Sequence, residues 1–198
     1  VFIGHHNIAN GSGLDELLEK MRDLRAILLF RKLNVTSHEL IEKPLGLLTF
    51  SDLNRHPVRA ILYSLLASLE SSLAYFVEEW TTDPDPYSWI RKLKEESQVQ
   101  ILGYWELSKK RDVEVGPLAA TTLPQLINIV AGNKEFFSKL GYDSRNEFER
   151  HTGKISGLRN CTMHPVRPLI LDHHCVGDVF NTVKSIIDLS NRIEKAFR

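Results

Sequence analysis

The 198-residue chain is short of cysteine, has no excess of either charge and carries no long apolar run. Its two cysteines, Cys161 and Cys175, form no CxxC pair and share no Cys/His spacing of a zinc site, so no metal ligands are expected. They read as free thiols in a reducing cytosol, where disulfides are rare. Lysine plus arginine and aspartate plus glutamate number 25 each, for a formal net charge of zero. That excludes a strongly basic coat protein, which binds nucleic acid through many phosphate contacts, but it leaves room for a local phosphate site. No apolar run approaches the roughly 20 residues that span a bilayer, and the N-terminus lacks the basic-then-apolar pattern of a signal peptide. A cytoplasmic protein with no membrane partner is therefore expected. No internal repeat, low-complexity tract, helix-turn-helix segment or basic recognition helix is visible. The chain opens on VFIG without a methionine, which fits a longer natural N-terminus.

What is present is an apolar fraction of 42%, enough for a packed globular core. Residues 1–13 end in NIANGSG and read as a loop. Leu14, Leu17, Leu18, Met21 and Leu24 recur at helical spacing and predict a short amphipathic helix over 14–24. AILLF at 26–30 reads as a buried strand and LGLLTF at 45–50 as a second, with the polar 32–44 between them a loop or hairpin arm. After Pro57 the texture changes. Val58, Ile61, Leu62, Leu65, Leu66, Leu69, Leu73, Phe76 and Val77 repeat at three and four, a helix of about six turns. Proline at the first helical position suits its start, and TTDPDP at 81–86 stops it. Helical patterns follow at 87–110, 123–139, 144–164 and 176–197. The predicted fold class is mainly α: a helical bundle over 57–198 preceded by a small α/β segment over 1–56. No flexible linker separates them, and a rigid joint can carry a conformational signal.

GLLTFSD, Gly46 to Asp52, has the form G-h-h-T-x-x-D at the end of a helix–strand–strand order. It resembles the end of a CBS (cystathionine-beta-synthase) domain. The resemblance implies that Thr49 and Asp52 hold ribose hydroxyls of an adenine nucleotide, a regulatory ligand. A carboxylate can accept from vicinal hydroxyls, and a threonine hydroxyl both donates and accepts. The family works in tandem pairs, so a second motif upstream or from a second subunit is implied. The plainer reading of the same residues is a strand running into a helix N-cap, and the two are compatible.

The other motif is LRNCTMHP at 158–165. On one continuous helix over 144–164 at about 100° per residue, Phe148, His151, Ile155 and Leu158 make a core stripe. Gly153, Gly157, Asn160 and His164 fall on another side. Each interior glycine costs up to about 1 kcal/mol of helix stability, which close approach of a partner helix or an RNA backbone would explain. Histidine titrates near neutrality and serves as general acid or base, while arginine offers a fixed fork of donors to phosphate oxygens. The segment resembles the Arg-Asn-x-x-x-His signature of the HEPN (higher eukaryotes and prokaryotes nucleotide-binding) superfamily. The resemblance covers roughly 57–198 and implies a metal-independent endoribonuclease at a homodimer interface, with RNA as substrate. Arg159, Asn160 and His164 would be catalytic, with Glu70 matching the acidic residue of an early helix. No cofactor is implied for the cleavage itself.

The alternative is a non-catalytic nucleotide sensor or scaffold of the same fold, in which Arg159 caps carbonyls and His164 is held at a helix end. Arg145, Arg150, Lys154 and Arg167 are candidates to guide RNA, though a solvated surface explains them better. His5–His6 and His173–His174 read as surface loop pairs, and Trp80, Trp89 and Trp105 as packing residues.

Overall fold

The computed structural model describes residues 18–19, 21, 26–36, 39–81, 85, 87–113 and 115–198; for 26–36, 39–48, 173 and 174 only the backbone is described. The expected loop over 1–13, His5 and His6 included, lies outside the described residues, as do Leu14, Leu17 and Leu24. The chain is mainly helical. Leu18, Glu19 and Met21 are helical, with Leu18 and Met21 buried. An antiparallel hairpin follows, β1 (Ala26–Thr36) against β2 (Glu39–Thr49), with Ala26 opposite Thr49 and Leu29 opposite Gly46. The register shifts between Leu29 and Phe30, where Pro44 takes the next pairing, a bulge at which proline is tolerated.

The helices after the hairpin are α1 (Phe50–Leu53), α2 (His56–Glu79), α3 (Glu95–Lys110), α4 (Leu123–Ala131), α5 (Lys134–Lys139), α6 (Arg145–Thr152), α7 (Ile155–Met163) and α8 (His173–Ala196). Short 3-10 turns occupy Ser88–Lys92 and Pro117–Ala120. Three of the expected long helices are therefore divided. The 87–110 pattern breaks at Leu93–Lys94, and 123–139 breaks at Gly132–Asn133, where the Asn133 side chain accepts from the Glu135 N–H and starts α5. The 144–164 pattern breaks at Gly153–Lys154. There the Thr152 hydroxyl donates to the Phe148 carbonyl, competing with the backbone ladder, and glycine is a weak helix former.

The chain divides into two compact units: Val1–Ser64 with Leu158–Lys184, and Leu65–Gly157 with Ser185–Arg198. This division does not follow the expected boundary at 56/57, because the segment bearing Arg159 and His164 groups with the N-terminal residues. In the first unit Leu53, Leu62, Leu169, Ile170, Val176 and Val183 are buried. In the second, Leu66, Leu69, Leu73 and Phe76 of α2 are buried, as are Phe136 and Phe148. Phe76 meets Phe136 edge-on at 5.8 Å between ring centres. Helix α2 is long and apolar enough to cross a membrane on length and composition, with an 18-residue window of mean hydropathy 1.5. Its buried leucine stripe is also that of a core helix, which passes the same test.

Candidate functional site

Helix α7 carries the Arg159–His164 motif, and its buried positions explain how the motif is presented. Ile155, Leu158 and Thr162, spaced three and four apart, face inward. Gly157, Asn160 and His164 lie on the exposed side. The break at Gly153 means that the wheel over 144–164 does not hold as one helix, yet the part carried by α7 keeps its expected exposure. His151, expected in the core stripe, is half-buried on α6, with its Nδ1 bonded to the buried Tyr142 hydroxyl.

His164 closes the helix. Its N–H donates to the Asn160 carbonyl at 3.2 Å, and its own carbonyl accepts from the Arg167 N–H at 2.9 Å. Pro165 follows and cannot donate to continue the ladder. The imidazole is left exposed one turn beyond Asn160. Arg159 is half-buried, and its Nε is buried with no hydrogen-bond partner among the described residues. An unmade buried donor costs about 1–3 kcal/mol.

Two residues that the sequence reading passed over hold this end of α7. Arg59 is 7% exposed. Its guanidinium donates to the Cys161 carbonyl at 2.6 Å, more weakly to that of Thr162 at 3.5 Å, to that of Asn54 at 3.2 Å, and to that of Arg167. A cation here also meets the negative end of the helix dipole. Asn54 Oδ1 accepts from the N–H groups of Leu169 (2.7 Å) and Ile170 (3.0 Å), and its Nδ2 donates to the Ile170 carbonyl at 2.9 Å. The carbonyl-capping role that the alternative reading gave Arg159 thus belongs to Arg59. The signal was in the sequence: Arg59 is in register with the stripe Leu62, Leu66, Leu69 and Leu73, so a charge sits on a core face.

An open cleft of about 320 Å³ is lined by Asn54, Arg55, His56, Pro57, Arg59 and Pro165, immediately after His164 in the chain. Arg55 on its rim pairs with Asp52 at 3.2 Å. Asp52 Oδ2 accepts from both the backbone N–H and the hydroxyl of Thr49, each at 2.8 Å. The Thr49 N–H, then its hydroxyl and the Arg55 charge, hold the Asp52 carboxyl below its ordinary pKa. Thr49 and Asp52 therefore form the cap of α1, as the plainer reading expected.

Arg159, Asn160 and His164 belong to the first unit, as do Thr49 and Asp52, but the cleft beside Pro165 is lined by none of the five. Glu70 belongs to the second unit, on α2, half-buried and with no hydrogen bond or ion pair among the described residues. Of the four basic candidates, Arg145 is paired with Glu149 at 2.8 Å, and all four are exposed. Trp89 is buried, as expected of a packing residue; Trp80 and Trp105 are half-buried, beneath the ammonium groups of Lys139 and Lys109. Cys161 and Cys175 are free thiols. No protein-family model, no curated protein and no solved structure matches the chain.

Proposed function

We propose that the chain is a metal-independent RNA endonuclease of HEPN type, acting through Arg159, Asn160 and His164. The observation that carries the reading is the open imidazole of His164 at the end of α7, with Asn160 one turn before it and an unpartnered guanidinium nitrogen on Arg159. A histidine held in a core would have favoured the scaffold reading.

In the proposed reaction neutral His164 takes the proton from a ribose 2′-hydroxyl. The 2′-oxygen bonds to the adjacent phosphorus, the bond to the 5′-oxygen breaks, and that oxygen leaves with a proton from the imidazolium or from water. The products are a 2′,3′-cyclic phosphate and a 5′-hydroxyl end. Arg159 donates to the non-bridging phosphate oxygens as charge gathers on them, and Asn160 orients the ribose. Glu70 is the acidic residue assigned from the family resemblance, and two copies would form the cleft.

Regulation by an adenine nucleotide at Thr49 and Asp52 completes the reading. A ribose there would compete for the Asp52 oxygens that now hold the Thr49 cap and Arg55. Asn54 precedes Arg55 and Arg59 follows four residues on, and the hydrogen bonds of these two reach residues 161–170. A nucleotide acts through this route only to the extent that it binds the two states differently.

The test is cleavage of diverse RNAs in EDTA by the wild-type protein and by folded His164→Ala and Arg159→Ala variants, with and without adenine nucleotides. Metal-independent cleavage is expected, reduced at least about a hundredfold by His164→Ala, with nucleotide dependence lost in Asp52→Ala. No cleavage under any of these conditions would replace the reading with the scaffold alternative.

A further inference from the structure

We infer that the outward face of α3 docks, antiparallel, on the same face of a second copy of this chain. The inference stands apart from the ribonuclease reading and concerns a surface in the second unit. Helix α3 turns Ile101 and Ser108 inward, both buried. On the opposite side, at about 100° per residue, Glu96, Val99, Gly103, Leu107 and Lys110 make one straight stripe. All five are exposed, Val99 by 66% and Leu107 by 45%. A Cβ added at Gly103 would meet nothing within 4 Å, so no described part of the chain covers the middle of the stripe.

The stripe is complementary to itself about Gly103. Its first turn is acidic, with Glu95 and Glu96, and its end is basic, with Lys109, Lys110 and then Arg111. Glu95, Glu96, Lys110 and Arg111 have no ion pair among the described residues. In an antiparallel pair with Gly103 facing Gly103, the missing side chains let the two backbones approach closely. Val99 of one copy then meets Leu107 of the other on either side. Glu95 and Glu96 come opposite Lys110 and Arg111 at both ends, and the two helix dipoles oppose each other. A two-fold axis requires such a self-matching patch. A parallel pairing would set like charges against each other at both ends. Acids first and bases last also suit the dipole of a lone helix, so the charge order has to be tested in association rather than in stability.

Sedimentation of the full chain over a range of concentrations is the experiment. The wild type is expected to self-associate reversibly. Charge reversal at one end, Glu95→Lys with Glu96→Lys, or Lys110→Glu with Arg111→Glu, is expected to weaken self-association roughly tenfold or more. Mixing the two variants should restore a heterodimer. Gly103→Cys, with Cys161→Ser and Cys175→Ser, should cross-link to itself under oxidised glutathione, whereas Gln98→Cys in the same background, away from the stripe, should not. The cross-link remains informative if charge reversal disturbs folding. A wild type that stays monomeric at every concentration overturns the inference. So does a dimer indifferent to all the α3 variants, which would pair through another face.

Discussion

At the scale of single residues, Arg59 is the side chain whose loss should be felt most in the first unit. Replacing it with methionine keeps much of the volume but leaves the carbonyls of Asn54, Cys161 and Arg167 without their donor. We expect Arg59→Met to destabilise the protein by about 2–4 kcal/mol, measured by urea unfolding. If cleavage is established, the same variant should lose activity beyond the loss of folded protein, because the end of α7 bearing His164 is released.

His151 gives a pH dependence whose sign follows from its surroundings. Burial holds its pKa below the ordinary value; Asp188, at 3.7 Å, pulls the other way and Arg192 reinforces the burial. The neutral ring shares a hydrogen bond through Nδ1 with the hydroxyl of Tyr142, whose own pKa burial pushes up to about 12. In the acid range the unfolded chain protonates this histidine before the folded protein does. The contribution is therefore full above about pH 6.5 and is lost as pH falls from there through the depressed folded value. Melting temperature should fall between pH 7 and pH 5, and the fall should be shallower in His151→Gln. An unchanged slope in that variant would assign the acid sensitivity elsewhere.

At the scale of elements, two glycines that look alike in the sequence have different roles. A Cβ at Gly153 would sit 2.9 Å from the Glu149 carbonyl oxygen, so the backbone between α6 and α7 must shift to accept it. A Cβ at Gly157 would meet nothing within 4 Å. Gly153→Ala is expected to lower stability, and Gly157→Ala to raise it by up to about 1 kcal/mol through helix propensity. Thermal melts of the two variants decide this. A more stable Gly157→Ala protein that no longer cleaves RNA would mean that RNA or a partner helix needs the bare backbone there.

The element scale also shows how far the sequence was legible. Helix α2 was read nearly to its ends because six turns of regular leucine spacing, a proline at its head and prolines beyond its tail all agree. The breaks at Gly132 and Gly153 were missed because a glycine inside a helical pattern is tolerated or terminal according to its neighbours. Asn133 capping α5 and Thr152 bonding back to Phe148 are local competitions that periodicity does not register. Asn160 and His164 kept their expected exposure because α7 alone, nine residues long, preserves the phase between them.

At the scale of the whole molecule, zero net charge limits how RNA could be held. A chain with 25 positive and 25 negative side chains has no net charge to attract RNA at long range. If it binds RNA, it should neutralise only one or two phosphates, and the logarithm of affinity should fall with the logarithm of salt at a slope of about −1 to −2. Binding by His164→Ala, which keeps the arginine, measures this without cleavage. A slope of −5 or steeper would reveal a basic surface that composition does not disclose.

Residue order alone was enough for the mainly helical class, for the span of α2 and for the motif at 159–164, because helical periodicity and side-chain chemistry are local properties. It was also enough to mark Thr49 and Asp52 as a cap, since the reciprocal bond spans three residues. Tertiary structure alone decided which segments share a unit. It returned Leu158–Lys184 to the N-terminal residues, and it gave Arg59 and Asn54 carbonyl and amide partners more than a hundred positions away. Those pairings depend on which buried polar groups must find each other once the core has closed, and no spacing along the chain encodes that meeting.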